Sequence, residues 1–163
     1  MPIVALDVHY LAEQARTGWV LFHEWSDGQA HQEGTVLYPR VADYEPGAFY
    51  KRELPCLWAA VQALARPDML VVDGFCWLGQ GQPGLGWHLH QALEGRCPVI
   101  GVAKTAYHGR PGTPVRRGQS QTPLYVTACG VEEDWAARQI ENMHGPFRVP
   151  SLLRRADQLA RGL

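Results

Sequence analysis

No apolar stretch in this chain approaches the ~20 residues needed to span a bilayer, so a membrane-spanning helix is not expected. The N-terminus, Met1-Pro2-Ile3, enters a strand-like run with no basic leader, and no secretory signal is expected. Cysteine is sparse: Cys56, Cys76, Cys97 and Cys129 are scattered without a C-x-x-C spacing. That pattern argues against a zinc site or a disulfide framework, and for small buried hydrophobes in a reducing compartment. Internal repeats, low-complexity tracts and linkers are absent as well. What remains is a 163-residue chain able to bury a core without staples. The expectation is a single domain over 1–163 in a cytoplasmic protein.

Net charge is also nearly absent, at −1, but the balance hides an asymmetry. Residues 1–80 hold ten acidic and five basic side chains, whereas 81–163 hold six acidic and ten basic ones. Acidic residues in one half and arginines in the other suit a metal enzyme acting on a polyanion. Many enzymes of simple metabolites share such a split, so it does not by itself demand nucleic acid.

Two apolar runs each end on an aspartate: IVALDV carries Asp7 and MLVVDG carries Asp73. Runs of this length bounded by turn residues read as buried strands. If the strands are neighbours, both carboxylates occupy one small volume. Like charges that close raise each other's pKa unless a cation lies between them. Such a pair points to a divalent ion and to hydrolytic or phosphoryl-transfer chemistry. Either Asp alone could simply cap a turn.

Three strands are expected first, over 2–8, 18–25 and 34–38, the last two joined by a hairpin turn at Asp27-Gly28. Residues 51–65 carry Leu54, Leu57, Trp58, Val61 and Leu64 at helical spacing, and Pro55 requires that helix to start close to it. A strand at 69–72, a Gly-rich loop at 74–86, a helix near 86–94 and a strand at 97–103 follow. A basic loop at 108–118, a strand at 123–128 and helices near 131–143 and 151–161 complete the chain. A meander followed by α/β units gives a mixed sheet covered by helices. The order matches the ribonuclease H-like fold, in which the first strand lies beside the strand after the first helix. By that analogy Asp7 meets Asp73.

The ordered motifs resemble those of the endonuclease V family, nucleases that cut near deaminated bases, chiefly hypoxanthine. LDVHY (6–10) looks like the family's D-V-x-[YF], and YEPGAFYKRELP (44–55) is similar to its Y-x-P-G-x-x-x-x-R-E. VVDG (71–74), GLGWHL (84–89), PVIGVAKTAYHG (98–109), TPLYVTACG (122–130) and GPFRVPSLLRRAD (145–157) resemble the later blocks in order. The resemblance implies that Asp7, Glu53 and Asp73 bind Mg²⁺, with Mn²⁺ as a possible substitute. It implies that Asp157 assists near the same metal, although this residue can equally pair with Arg154 or Arg161. Lys104 falls on the family's G-V-A-K lysine, near the scissile phosphate. Tyr44 and Pro46 fall in the wedge, and Gly47 and Gly74 where backbone approaches the flipped base. His108, Arg110, Arg116 and Arg117 form a loop that either faces phosphate or is simply solvated. His88 is expected to pack, while Trp77 and Trp87 could pack, stack on bases or form an interaction surface. The implied partner is nucleic acid, DNA or RNA, with the chain acting as a monomer away from membranes.

The departures from the family pattern cluster. Phe75-Cys76 stand where the family reads x-G, and Cys76 is expected to narrow the base pocket. Gly79, Gln80 and Gly81 replace H-P-R, and Asp43 and Glu45 place charge on the wedge. The helical extension that usually precedes the first strand is missing, and the chain ends soon after Asp157. The metal-ligand positions and Lys104 are spared. The expectation is therefore a Mg²⁺-dependent endonuclease acting on inosine-containing DNA or RNA. The alternatives are a metal-dependent nuclease for structured or single-stranded nucleic acid, and a non-catalytic binding module on the same fold.

Overall fold

The two apolar runs are apolar throughout because both faces of their strands are covered. In a computed structural model that describes residues 1–39, 49–79, 81–109 and 111–163, β1 (Ile3–Leu11) lies between two partners. It pairs antiparallel with β2 (Gln14–Phe22) and, across the β3 (Gln32–Tyr38) and α1 (Phe49–Gln62) connection, parallel with β4 (Met69–Asp73). The remaining elements are α2 (Leu85–Ala92), β5 (Val99–Ala103), β6 (Thr113–Val115), β7 (Leu124–Cys129), α3 (Glu133–Glu141) and α4 (Ser151–Ala160). Among the described residues the sheet runs β3-β2-β1-β4-β5-β7-β6.

Alternate residues of each central strand feed two separate cores. Ile3, Ala5, Met69, Val71, Ile100 and Val102 pack against Ala136 and Ile140 of α3 and Leu152 and Ala156 of α4. Val4, Leu6, Leu70, Val72 and Val99 pack against Leu57 and Ala60 of α1 and Leu85 and Leu89 of α2. The result is a three-layer mixed sheet with a helix pair on each face, as the element order predicts.

Two glycines bring the layers close enough to build a site. Gly18 in β2 pairs with Asp7, and a β-carbon there would meet the Ala156 carbonyl oxygen at 2.3 Å and the Ala160 nitrogen at 2.6 Å. Only a bare α-carbon lets α4 lie on the strand opposite Asp7. Gly101 in β5 plays the same part on the other face. Its β-carbon would meet the Gly74 carbonyl oxygen at 2.6 Å and the Cys76 nitrogen at 2.9 Å, so the loop after Asp73 can cross over β5.

Several expected boundaries shift. β2 begins at Gln14, because the first hairpin turns through Ala12-Glu13, with Ala12 at a φ of 41°. Asp27-Gly28 is not a two-residue turn. It lies in the longer 23–31 connection, where an Asp27 carboxylate oxygen accepts the His23 and Glu24 amides at 3.1 and 3.0 Å. Pro55 stands inside α1 instead of at its start; burial of Leu57, Ala60 and Val61 offsets the missing backbone bond. The 108–118 loop contains the short edge strand β6, where Pro114 is tolerated.

Candidate active site

Beyond the Leu6–Val72 pairing, the next residues of the parallel strands β1 and β4 are Asp7 and Asp73. This register places both carboxylates at the end of the sheet where its buried part stops. β5 continues the arrangement: Asp73 pairs with Val102, and Lys104 follows two residues later. The Lys104 ammonium nitrogen lies 3.4 Å from Asp73 Oδ2. The Arg148 guanidinium donates to the Lys104 carbonyl and, at 3.0 Å, to those of Thr122 and Pro123, fixing the strand end that carries the lysine.

Glu53 enters from α1 and is only 7% exposed. Its carboxylate accepts a hydrogen bond from the Tyr10 hydroxyl, and the Arg52 guanidinium stands 3.8 Å above the Tyr10 ring centre. Asp157 enters from α4. It accepts from Arg161 Nε at 3.1 Å, one helical turn on, and its charge also acts on Asp7. The pairing with Arg161 on its own helix is the alternative the structure shows, and Asp157 lies near the carboxylate cluster as well.

The electrostatics follow from burial and crowding. Burial first, then the neighbouring Asp73 charge, pushes the Asp7 carboxyl up to about 8, against the opposing pull of Lys104. Asp157 adds to the upward push and the Val8 amide, donating to Asp7 at 2.9 Å, opposes it. Burial pushes Glu53 up to about 7, the Tyr10 hydrogen bond restrains it, and Asp73 adds to the rise. The Tyr10 hydroxyl is held well above its usual range by burial and by its bond to Glu53.

Hard carboxylate oxygens sharing one place, two of them reluctant to ionise, form a donor set whose chemistry fits a hard divalent cation. Asp7, Glu53 and Asp73 line one narrow crevice together. Among the described residues, however, no three His, Cys, Asp or Glu side chains converge closely enough to enclose an ion in this arrangement. Glu53 is turned to Tyr10 and Asp73 to Lys104. The same residues open onto a cleft of about 520 Å³, which Tyr50, Phe75, Leu85 and Tyr107 also line.

Of the residues expected from sequence, the fold gathers Asp7, Glu53, Asp73, Lys104 and Gly74 at this cleft, with Asp157 close by. Tyr44, Pro46 and Gly47 lie outside the described residues, as do Arg110 and the charged positions Asp43 and Glu45. His108 is exposed, with its ring 5.4 Å from that of Tyr107, and is not part of the cleft lining. Cys76 does not narrow the pocket: it is wholly buried against Gly86, its thiol donating to the Val99 carbonyl at 3.4 Å. Arg117 is neither solvated nor phosphate-facing. Its guanidinium is buried and donates to the carbonyls of Glu141, Met143, Gly145, Phe147 and Arg148. His88 packs as expected, stacked on Tyr50 at 3.6 Å, and Trp77 is a packing residue whose indole donates to the Ala128 carbonyl at 3.0 Å. Tyr10, Arg148 and Gly18 are the contributors that sequence reasoning missed. The tyrosine ending LDVHY and a glycine inside a strand were the available signals.

The mixed sheet, with β1 beside β4 and helices on both faces, defines a ribonuclease H-like domain. The endonuclease V family model matches residues 1–144, so the chain belongs to the endonuclease V family. Asp157 lies beyond that match. The endonuclease V of Rhodospirillum centenum is 32% identical over 78% of this chain. That of Thermus thermophilus is 31% identical over 94%. The chain spans 62% of the first relative's length and 78% of the second's. The endonuclease V of Ciona intestinalis, solved with a 24mer DNA containing an inosine followed by a ribo-adenosine, shares the fold. Its TM-score is 0.82 at 16% identity, covering 99% of this chain and 84% of that one.

Proposed function

We propose that this chain is a metal-dependent endonuclease that hydrolyses a phosphodiester near a deaminated base in DNA or RNA. The observation that carries this reading is the juxtaposition of Asp7, Asp73 and Lys104 at one cleft, with Glu53 beside them. Family membership and the inosine-containing DNA bound by the Ciona relative support the substrate. In this reading Asp7, Glu53 and Asp73 hold Mg²⁺ or Mn²⁺, with Asp157 assisting. What such an ion supplies is polarisation of the phosphate and a more acidic bound water.

The chain's own residues do the rest. Asp7 and Glu53 release their protons when a cation compensates the burial and crowding that hold them up. Lys104 brings an ammonium to the place where the phosphate gains negative charge, and Arg148 keeps the lysine's backbone fixed. A deaminated base pairs weakly, so it costs least to unstack toward the cleft.

Matched oligonucleotides with and without inosine test this directly. Mg²⁺-dependent nicking that favours the inosine strand is expected. Equal cleavage of both strands would favour a nuclease of changed specificity, and binding without cleavage a non-catalytic module.

A further inference from the structure

The 142–150 connection between α3 and α4 forms neither helix nor strand, yet it carries Arg148 to the strand end that holds Lys104. Its carbonyls converge instead on one buried cation. Arg117, 6% exposed, donates through Nη1 to the Phe147 and Arg148 carbonyls at 2.5 and 3.2 Å. Through Nη2 it donates to those of Met143 and Gly145 at 2.6 and 3.0 Å, and through Nε to that of Glu141 at 3.3 Å. Among the described residues no carboxylate pairs with it. Glu141 closes α3, and the last carbonyls of a helix have no partner within it. The guanidinium therefore caps that helix and gathers the chain beyond it. The next residue fits this arrangement. Gly118 has a φ of 62°, and a β-carbon there would meet the Pro146 carbonyl oxygen at 2.5 Å. Arg117 and Gly118 thus form the seat on which the backbone up to Arg148 rests.

We infer that Arg117 is a positioning residue for Lys104 and acts through Arg148. The inference rests on the nuclease reading, because it concerns the lysine set at the phosphate. Arg148 is the link between the two. Arg117 holds its backbone, and its own guanidinium donates to the Lys104, Thr122 and Pro123 carbonyls. Two arginines in series tie the α3–α4 connection to the tip of β5. The first of them has to be an arginine: a guanidinium offers five N–H donors in a rigid plane, whereas a lysine offers three on one atom. With lysine there, the buried charge stays but most of the carbonyls lose their donor. Arg148 then shifts, and Lys104 leaves its place beside Asp73. A displacement of about 1 Å at such a site can slow the chemistry by about 10²-fold.

The chain has two lysines, Lys51 and Lys104, so reductive ¹³C-methylation gives each its own NMR signal, assigned with Lys104→Arg. In Arg117→Lys the Lys104 signal should move while that of Lys51 stays. With unmethylated protein and an inosine-containing strand in Mg²⁺, kcat should fall roughly 10–10²-fold with KM little changed. Arg148→Gln should reproduce both effects. The double variant should lose no more than either single one, because both act on one link. Circular dichroism checks folding, and if Arg117→Lys does not fold, Gly118→Ala, which pushes Pro146 off its seat, takes its place. A folded variant with the wild-type Lys104 signal and kcat, or losses that add in the double variant, overturns the positioning role. A Lys104 signal that moves as expected, with no cleavage by the wild type, supports that role and overturns the nuclease reading.

Discussion

Lys104 Nζ lies 3.4 Å from Asp73 Oδ2, joining the ends of two adjacent parallel strands across the mouth of the cleft. Both side chains are partly exposed, so the pair adds little to stability. In the proposed nuclease reading, its position puts a cation where a bound phosphate gains charge. Lys104→Ala is therefore expected to lower kcat by about 10²–10³-fold with little change in Tm. Steady-state cleavage and a thermal melt measure the two quantities separately.

Tyr10 holds Glu53 through a hydrogen bond that favours the ionised carboxylate. In Tyr10→Phe that restraint goes, and Glu53, already pushed up to about 7 by burial, keeps its proton to still higher pH. Mn²⁺ affinity should fall about tenfold, by analogy with other outer-shell partners, and its pH dependence should move upward. Calorimetric titration across pH reads both.

The metal-free protein should lose stability as pH rises. Asp7 has a folded pKa of about 8, against about 3.9 in an unfolded chain. Between those values the folded state keeps a proton that the unfolded state has released. The unfolded state binds fewer protons, so the stability gradient with pH is negative in that window. Glu53 adds to the fall up to about 7. Thermal melts in EDTA should show Tm falling from pH 5 to 8, and Asp7→Asn should flatten the slope and raise Tm at pH 8.

Gly18 sets how closely α4 approaches Asp7. Gly18→Ala forces a β-carbon against the Ala156 and Ala160 backbone, which has no flexible end to give way. Overpacking of this kind costs about 1–3 kcal/mol. Urea unfolding should show that loss.

The fold was legible where burial dictates the residue. IVAL and MLVV are apolar because both faces of β1 and β4 are covered, and the analogy with the ribonuclease H-like order, not the runs themselves, placed Asp7 beside Asp73. The early part of β2, QART, was not legible, because its buried positions are Ala15 and Thr17, a small and a polar residue that show no apolar alternation in the sequence. β6 spans only Thr113–Val115 on an edge, too short for any periodicity. Arg117 looked like a surface charge because nothing local shows that its guanidinium fills a hollow lined by carbonyls from Glu141 to Arg148. Cys76 and Phe75 were separable only once the loop's path over Gly101 fixed which side chain turns inward.

The most direct test of the proposed metal-dependent nuclease site is cleavage of an inosine-containing strand by the Asp7→Ala, Asp73→Ala double variant in Mg²⁺. The wild type should nick the strand in Mg²⁺ and stop in EDTA. The double variant should keep its circular dichroism spectrum and show no cleavage. A folded double variant that cuts at the wild-type rate would contradict the assignment of these carboxylates.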